Sequence, residues 1–81
     1  MHFVYILYRK KIDRYYIGST SMPVEERLKR HLGSHKGFTS RANDWEIVYV
    51  ESFDTVTQGR KRERQIKSWK SRKAMEKLIY G

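Results

Sequence analysis

The chain has 81 residues, among them 18 Lys and Arg, 9 Asp and Glu, and no cysteine. A chain of this length holds one hydrophobic core, so we expect a single domain over residues 1–81. The absence of cysteine excludes disulfides, zinc fingers and thiol chemistry. The formal net charge of +9 predicts a polyanionic partner, and nucleic acid is favoured over an anionic membrane or a merely solvated basic face.

The first half of the chain predicts a β-hairpin and a helix. Residues 2–8 and 15–19 are rich in aromatic and branched side chains, which is typical of strands, and a polar turn separates them. Pro23 is favoured at the first position of a helix, and Gly33 is a natural stop. We therefore predict a helix from Pro23 to Leu32, with Val24, Leu28 and Leu32 as its apolar stripe.

The second half predicts one more strand and two more helices. The third strand is expected from Trp45 to Phe53. Asp54 or Thr55 is expected to cap a helix that ends near Trp69, and Ser71 to cap a final short helix. The order β-β-α-β-α-α predicts an α+β fold, with a small three-stranded, mostly antiparallel sheet flanked by helices.

The N-terminal apolar run does not predict a targeting segment. Residues 3–8 are too few for a signal peptide, and the basic cluster follows them instead of preceding them. No stretch of the sequence has the apolar length needed to span a bilayer. We expect a cytoplasmic protein that does not contact membranes.

Three polar side chains fall on or beside the inward faces of the predicted helices. At about 100° per residue, Arg27 and His31 lie at the edge of the apolar stripe of the first helix. Glu63 lies near the middle of the inward arc of the second helix, and Gly59, one turn earlier, leaves space above it. A buried carboxylate must be paired, protonated or bound to a metal, since burying an unpaired charge costs several kcal/mol. Taken singly, each residue also has a structural interpretation, such as a salt bridge for Glu63 at a helix edge.

Five positions in chain order resemble the GIY-YIG nuclease domain. They are the tyrosines of Phe3-Val4-Tyr5 and Tyr16-Ile17-Gly18, followed by Arg27, His31 and Glu63. The resemblance covers essentially the whole chain and extends to small stand-alone bacterial members of the family. Phe3 stands where the family name has Gly, which leaves the tyrosine of that tripeptide intact.

The resemblance implies a metal-dependent endonuclease that hydrolyses phosphodiester bonds in DNA. Tyr16 would be the general base that activates water, and Tyr5 would orient the attacking group through a hydrogen bond. Arg27 would neutralise charge on the scissile phosphate, and His31 would assist proton transfer or hold the phosphate. Glu63 would be the single protein ligand of a divalent ion, Mg²⁺ or its substitute Mn²⁺. The alternative is a non-catalytic, basic nucleic-acid-binding module of the same fold.

The basic residues expected to contact nucleic acid lie in the loop before the third strand and along the second helix. They are Lys36, Arg41, Arg60, Lys61, Arg64, Lys67 and Lys70. Contacts of this kind are made to phosphates and give affinity with little sequence preference. The resemblance further implies weak sequence preference, or a preference for branched or flapped DNA, and a role in DNA repair or processing.

Overall fold

The computed structural model describes residues 1–33 and 45–81, with residues 29–33 described by their main chain alone. Within these ranges the elements are β1 (His2–Arg9), β2 (Arg14–Thr20), α1 (Val24–Gly33), β3 (Trp45–Phe53), α2 (Val56–Ser68) and α3 (Arg72–Tyr80). This order confirms the predicted β-β-α-β-α-α arrangement and the α+β class. None of these helices is long and apolar enough to cross a membrane. Lys36 and Arg41, expected to bind nucleic acid, lie outside the described residues.

Side chains cap two of the helices, as the sequence predicts. Of the two candidates for α2, Thr55 and not Asp54 is the cap, and its hydroxyl accepts a hydrogen bond of 3.2 Å from the N–H of Gln58. Ser71 caps α3 in the same way, accepting a hydrogen bond of 3.2 Å from the N–H of Ala74. Each cap satisfies one of the N–H groups that a helix start leaves without an intrahelical partner.

The ends of α1 and α2 differ slightly from the predicted ones. Helix α1 begins at Val24, because the carbonyl of Pro23 accepts the first helical hydrogen bond, from Arg27 at 3.0 Å. Pro23 therefore occupies the cap position rather than the first helical position. Helix α2 ends just before Trp69, whose N–H donates to the carbonyl of Ile66 at 3.2 Å and tightens the last turn.

Strand β1 is the centre of an antiparallel sheet with the order β2-β1-β3 among the described strands. Tyr5 of β1 lies opposite Gly18 of β2 and Val50 of β3. A β-bulge interrupts the pairing of β1 with β3 between Ile6 and Leu7. Because β1 has a partner on both sides, it contributes most of the buried residues of the described core.

Alternation of side chains along the strands divides the core into two faces. On one face Tyr5 packs with Val24 of α1. On the other face Val4 and Ile17 pack with Ile66 of α2, and partly buried apolar residues of α3 cover the same cluster. Helix α1 therefore lies on one side of the sheet, and α2 and α3 lie on the other.

Candidate active site

The ring of Tyr5 crosses β2 directly above Gly18. A Cβ atom on Gly18 would lie 2.5 Å from the hydroxyl oxygen of Tyr5 and 2.7 Å from its Cζ, closer than side-chain Cβ atoms approach other atoms. Only glycine leaves this space. Gly18, the last residue of the second tripeptide, therefore allows Tyr5, the tyrosine of the first tripeptide, to pack against β2. Tyr5 is 4% exposed as a result.

Three side chains act on the hydroxyl of Tyr5. Burial raises the pKa of Tyr5, a hydrogen bond from Arg27 lowers it, and the charges of Tyr16 and Glu63 raise it, for a net rise above 10.0. Tyr5 is therefore a neutral phenol near neutral pH, which suits an orienting hydrogen bond better than proton abstraction. Among these residues only Arg27 is hydrogen-bonded to the Tyr5 hydroxyl within the described part of the chain, and Tyr16 and Glu63 act on it through their charge.

Tyr16 lies on the same face of the sheet as Tyr5, two residues before Gly18 on β2. Its side chain is 42% exposed, so Tyr16 is not a core residue, whereas Tyr5 is. The ring of Tyr16 meets Trp45 edge-on, with centroids 6.4 Å apart and planes at 70°. This contact holds an accessible phenol at the surface of the sheet.

Helix α1 supplies the arginine and the histidine of the predicted site. Arg27 is exposed, and its guanidinium donates the hydrogen bond that lowers the pKa of Tyr5. His31 lies one turn further along α1, and only its main chain is described. The role of His31 in proton transfer or phosphate binding stays a prediction.

Glu63 approaches β2 from the opposite face of the sheet. Its carboxylate accepts hydrogen bonds from the hydroxyl of Ser19 and from the ammonium of Lys67, the latter at 2.7 Å. Burial raises the pKa of Glu63, but the hydrogen bonds from Lys67 and Ser19 outweigh it and hold the pKa below 4.5. The carboxylate is therefore ionised at neutral pH and paired, which is one of the states that its inward position allows.

Two adjacent residues of β2 connect the halves of the site. Gly18 lies under Tyr5, whereas Ser19 points to the other face and donates to Glu63, because successive side chains of a strand alternate. Strand β2 is an edge of the described sheet. The tyrosines and the carboxylate therefore flank one edge strand from opposite sides.

The space predicted above Glu63 is filled, so that prediction is wrong. A Cβ atom on Gly59 would collide with Cδ2 of His2, whose imidazole occupies the position. His2 is 5% exposed, its Nδ1 lies 2.8 Å from Oγ of Ser21, and its Nε2 has no partner among the described residues. The charge of His2 also lowers the pKa of Glu63. No pattern in the sequence connects residue 2 with residue 59.

The basic residues predicted to bind nucleic acid divide among three cavities in the described part of the chain. Arg60, Arg64 and Lys67 surround Glu63 in a cavity of about 300 Å³. Lys61 lines a different cavity of about 560 Å³, between α2 and the end of β3. Residues at the junction of α2 and α3, including Lys70, line a third cavity of about 250 Å³. Only the first group lies beside the carboxylate.

Glu63 is a candidate ligand for a divalent ion, although the described residues contain no cluster of three or more His, Asp or Glu side chains. Mg²⁺ often uses one or two carboxylates and takes water and substrate phosphate as its other ligands. The ionised carboxylate of Glu63, 20% exposed, fits this requirement. In this structure the cation beside Glu63 is the ammonium group of Lys67. The Lys67 side chain is flexible and 53% exposed.

A buried tyrosine, an accessible tyrosine, an arginine and a carboxylate thus lie about one edge strand of a small sheet in an α+β fold. Residues 1–77 match the family model described as the GIY-YIG catalytic domain, and the chain belongs to this family. The match confirms the resemblance of the chain to the GIY-YIG family. Membership of a nuclease family implies nucleic acid as the class of substrate.

The fold is also similar to a solved bacterial structure. The solution NMR structure of the UPF0213 protein BH0048 from Bacillus halodurans matches with a TM-score of 0.60 and 28% sequence identity. The alignment covers 96% of this chain and 81% of that chain. A comparison with curated proteins finds no match.

Proposed function

We propose that this domain is a Mg²⁺-dependent endonuclease that hydrolyses phosphodiester bonds in DNA, with Mn²⁺ able to replace Mg²⁺. The observation that carries the proposal is the arrangement about strand β2, which has Tyr16 and the Arg27-bonded hydroxyl of Tyr5 on one face and the carboxylate of Glu63 on the other. Packing alone gives no reason for a cation, an accessible phenol and an ionised carboxylate to lie about one edge strand. A general base, a cation and a carboxylate able to hold a metal ion are groups that phosphodiester hydrolysis can use.

The attacking water is activated on the face of the sheet that carries the tyrosines. Tyr16 acts as the general base and takes a proton from the attacking water. The water oxygen forms a bond to phosphorus while the bond to the leaving oxygen breaks. The neutral hydroxyl of Tyr5 keeps the attacking group in line with that bond.

Charge on the phosphate is neutralised by cations around it. Arg27 stabilises the negative charge that grows on the non-bridging oxygens, and His31 assists proton transfer or holds the phosphate. Glu63 would hold Mg²⁺, which when bound supplies Lewis-acid stabilisation of the phosphate and the leaving oxygen. Arg60 and Arg64, which line the same cavity as Glu63, bind neighbouring phosphates.

Cleavage of labelled duplex, single-stranded and branched DNA in Mg²⁺ tests the proposal. Tyr16→Phe and Glu63→Ala are each expected to lower kcat on the order of a hundredfold or more, while binding in EDTA is retained. Tyr80→Phe and Glu25→Ala are matched controls at exposed positions of α3 and α1, and both should cleave like the wild type. A wild-type protein that cuts none of these substrates contradicts the proposal.

A non-catalytic, basic nucleic-acid-binding module of the same fold is the second candidate. The hydrogen bonds from Ser19 and Lys67 favour it, because they satisfy the carboxylate of Glu63 without a metal ion. This candidate predicts salt-dependent binding without cleavage, and no effect of Mg²⁺ or Mn²⁺ on thermal stability. A metal-dependent rise in Tm that Glu63→Ala abolishes contradicts it.

The proposal includes a preference for DNA structure and a cytoplasmic role in DNA repair or processing. Contacts to phosphates carry no direct sequence information, so substrates would be distinguished by shape. Flapped and branched intermediates arise during repair and differ from linear duplex in shape alone. Equal cleavage rates on a flap, a junction and a linear duplex of shared sequence would contradict the structural preference.

A further inference from the structure

A groove of about 250 Å³ lies beside the candidate site, between the β1–β2 turn and the junction of α2 and α3. Its charged lining residues are Asp13, Arg14, Lys67, Lys70 and Arg72. Lys67 also lines the cavity that contains Glu63. The groove and the candidate site therefore share a wall, and a chain molecule seated on Glu63 can continue into the groove past Lys67.

The groove keeps an excess of positive charge. Arg72 forms an ion pair with Asp13 and a hydrogen bond of 3.2 Å to its carbonyl, so these two charges cancel. Within residues 1–33 and 45–81, neither Arg14 nor Lys70 has an acidic partner. Both side chains are exposed and are directed at an opening that attracts anions.

Contacts within the chain join the walls of the groove. Lys70 has a φ of 48° and Asp13 a φ of 55°, left-handed values that are uncommon for residues other than glycine. The Arg72–Asp13 ion pair joins the β1–β2 turn to the start of α3, and Ser71 caps that helix next to Lys70. A preformed arrangement of cations binds an anion with little ordering cost.

Among the described residues that line the groove, no aromatic ring is open to a base. Tyr15, its aromatic lining residue, already contacts Tyr8 at 4.8 Å between centroids and lies under the guanidinium of Arg72 at 5.4 Å. Its hydroxyl donates to Glu76 at 3.2 Å. The lining therefore suits the phosphate backbone of a nucleic acid and not its bases.

We propose that this groove binds the phosphodiester backbone of the strand that continues from the candidate active site. Arg14 and Lys70 contact phosphates beyond the scissile one, and Lys67 lies at the boundary between the two sites. The proposal rests on the proposed function, because it takes the strand seated at Glu63 to be nucleic acid. It adds a second, sequence-independent contact region on the far side of Lys67 from Arg60 and Arg64.

Salt-dependent DNA binding, measured in EDTA, tests this contact region. EDTA is used because it removes the divalent ion that the proposed cleavage requires. Fluorescence anisotropy with a labelled DNA duplex gives the slope of log affinity against log salt for each variant. The double variant Arg14→Gln, Lys70→Gln is expected to reduce the magnitude of the slope by about 1.8, since two phosphate contacts are lost. The control Lys73→Gln, Lys77→Gln removes the same charge from exposed positions of α3 outside the groove and should change the slope little. Equal slopes for the two double variants overturn the proposal.

Two further measurements separate this proposal from the proposed function. In Mg²⁺ the groove variant should raise KM while kcat stays near the wild-type value, whereas Tyr16→Phe should lower kcat and keep the wild-type salt slope. If the protein binds DNA with the expected slopes but never cuts it, the proposed function is contradicted and the groove proposal stands. If the groove variant has an unchanged KM and an unchanged slope, the groove proposal is contradicted, even where the wild type cuts DNA.

Discussion

Lys67 donates a hydrogen bond of 2.7 Å to the carboxylate of Glu63 from one turn further along α2. The other oxygen of that carboxylate accepts a hydrogen bond from Ser19 of β2. Glu63 is therefore held between a helix and a strand, with an ammonium group already beside it. A divalent ion that binds Glu63 competes with this ammonium and does not meet an open carboxylate.

Lys67→Gln is expected to tighten the binding of Mg²⁺ and Mn²⁺, because the competing charge is removed. The pKa of Glu63 should rise at the same time, because the Lys67 hydrogen bond is the largest contribution that lowers it. Loss of the pair should cost little stability, about 0.2–0.5 kcal/mol for an i,i+4 pair on a helix. Isothermal titration calorimetry measures the metal affinity. Lys61→Gln, on the same helix but in another cavity, is the control, and equal affinities for the two variants would contradict the competition.

Gly18→Ala is expected to destabilise the fold by about 1–3 kcal/mol, because the new methyl group overlaps the ring of Tyr5. Adding Tyr5→Phe removes the oxygen that lies 2.5 Å from the Cβ position, although Cζ remains at 2.7 Å. The second change should therefore recover part of the loss. Urea unfolding of the two single variants and the double variant gives the coupling free energy. If the effects of the two single changes on the free energy of unfolding simply add in the double variant, overlap with the Tyr5 ring is not the cause of the destabilisation.

Arg27→Gln is expected to lower kcat on the order of a hundredfold, because the cation that hydrogen-bonds to the Tyr5 hydroxyl disappears. The free energy of unfolding should fall by about 1–3 kcal/mol at most, because the buried hydroxyl of Tyr5 loses this partner. Arg64→Gln is the matched comparison. Arg64 lines the Glu63 cavity and is proposed to hold a neighbouring phosphate, so its loss should raise KM and leave kcat nearly unchanged. If kcat and KM changed in the same way in both variants, the different roles proposed for the two arginines would be contradicted.

Asp13 is expected to make stability depend on pH in the acid range. Hydrogen bonds from Arg72 and Tyr8 lower the pKa of Asp13 from 3.8 to about 2. Because the folded-state pKa is the lower one, the stabilisation is fully present above pH 3.8 and is lost as the pH falls toward 2. Both partners are exposed, so added salt should weaken the effect.

Melting temperature against pH for the wild type and Asp13→Asn measures this contribution. The variant should show a flatter profile over the window. Asp54→Asn, at an exposed position just before α2, is the control and should follow the wild type. A wild-type profile as flat as that of Asp13→Asn would contradict the assignment.

The sequence predicted the features that depend on residues close together in the chain, such as helix caps and the faces of helices. Thr55 and Ser71 are recognisable as caps because the N–H groups that they accept from lie three residues later. The inward position of Glu63 follows from helical periodicity, and a lysine four residues after a glutamate is a standard helix pair.

Contacts between parts of the chain that are distant in sequence were harder to predict from the sequence. His2 fills the space at Gly59, and this contact depends on how α2 lies across the start of β1. No local pattern encodes that placement. The crossing of Tyr5 over Gly18 likewise depends on the register of β2 against β1, which the hairpin sequence alone does not fix because it lacks a diagnostic turn dipeptide.

That register has a further consequence for the candidate site. Gly18 and Ser19 are consecutive, and each serves a different side of the sheet. A shift of β2 by a single residue would place the side chain of Ser19 or Ile17 under the ring of Tyr5, depending on its direction, and would move the hydroxyl of Ser19 away from Glu63. An insertion or deletion in the short β1–β2 connection could thus disable both halves at once. The integrity of this site therefore depends on the length of a turn that contains neither of its tyrosines nor its carboxylate.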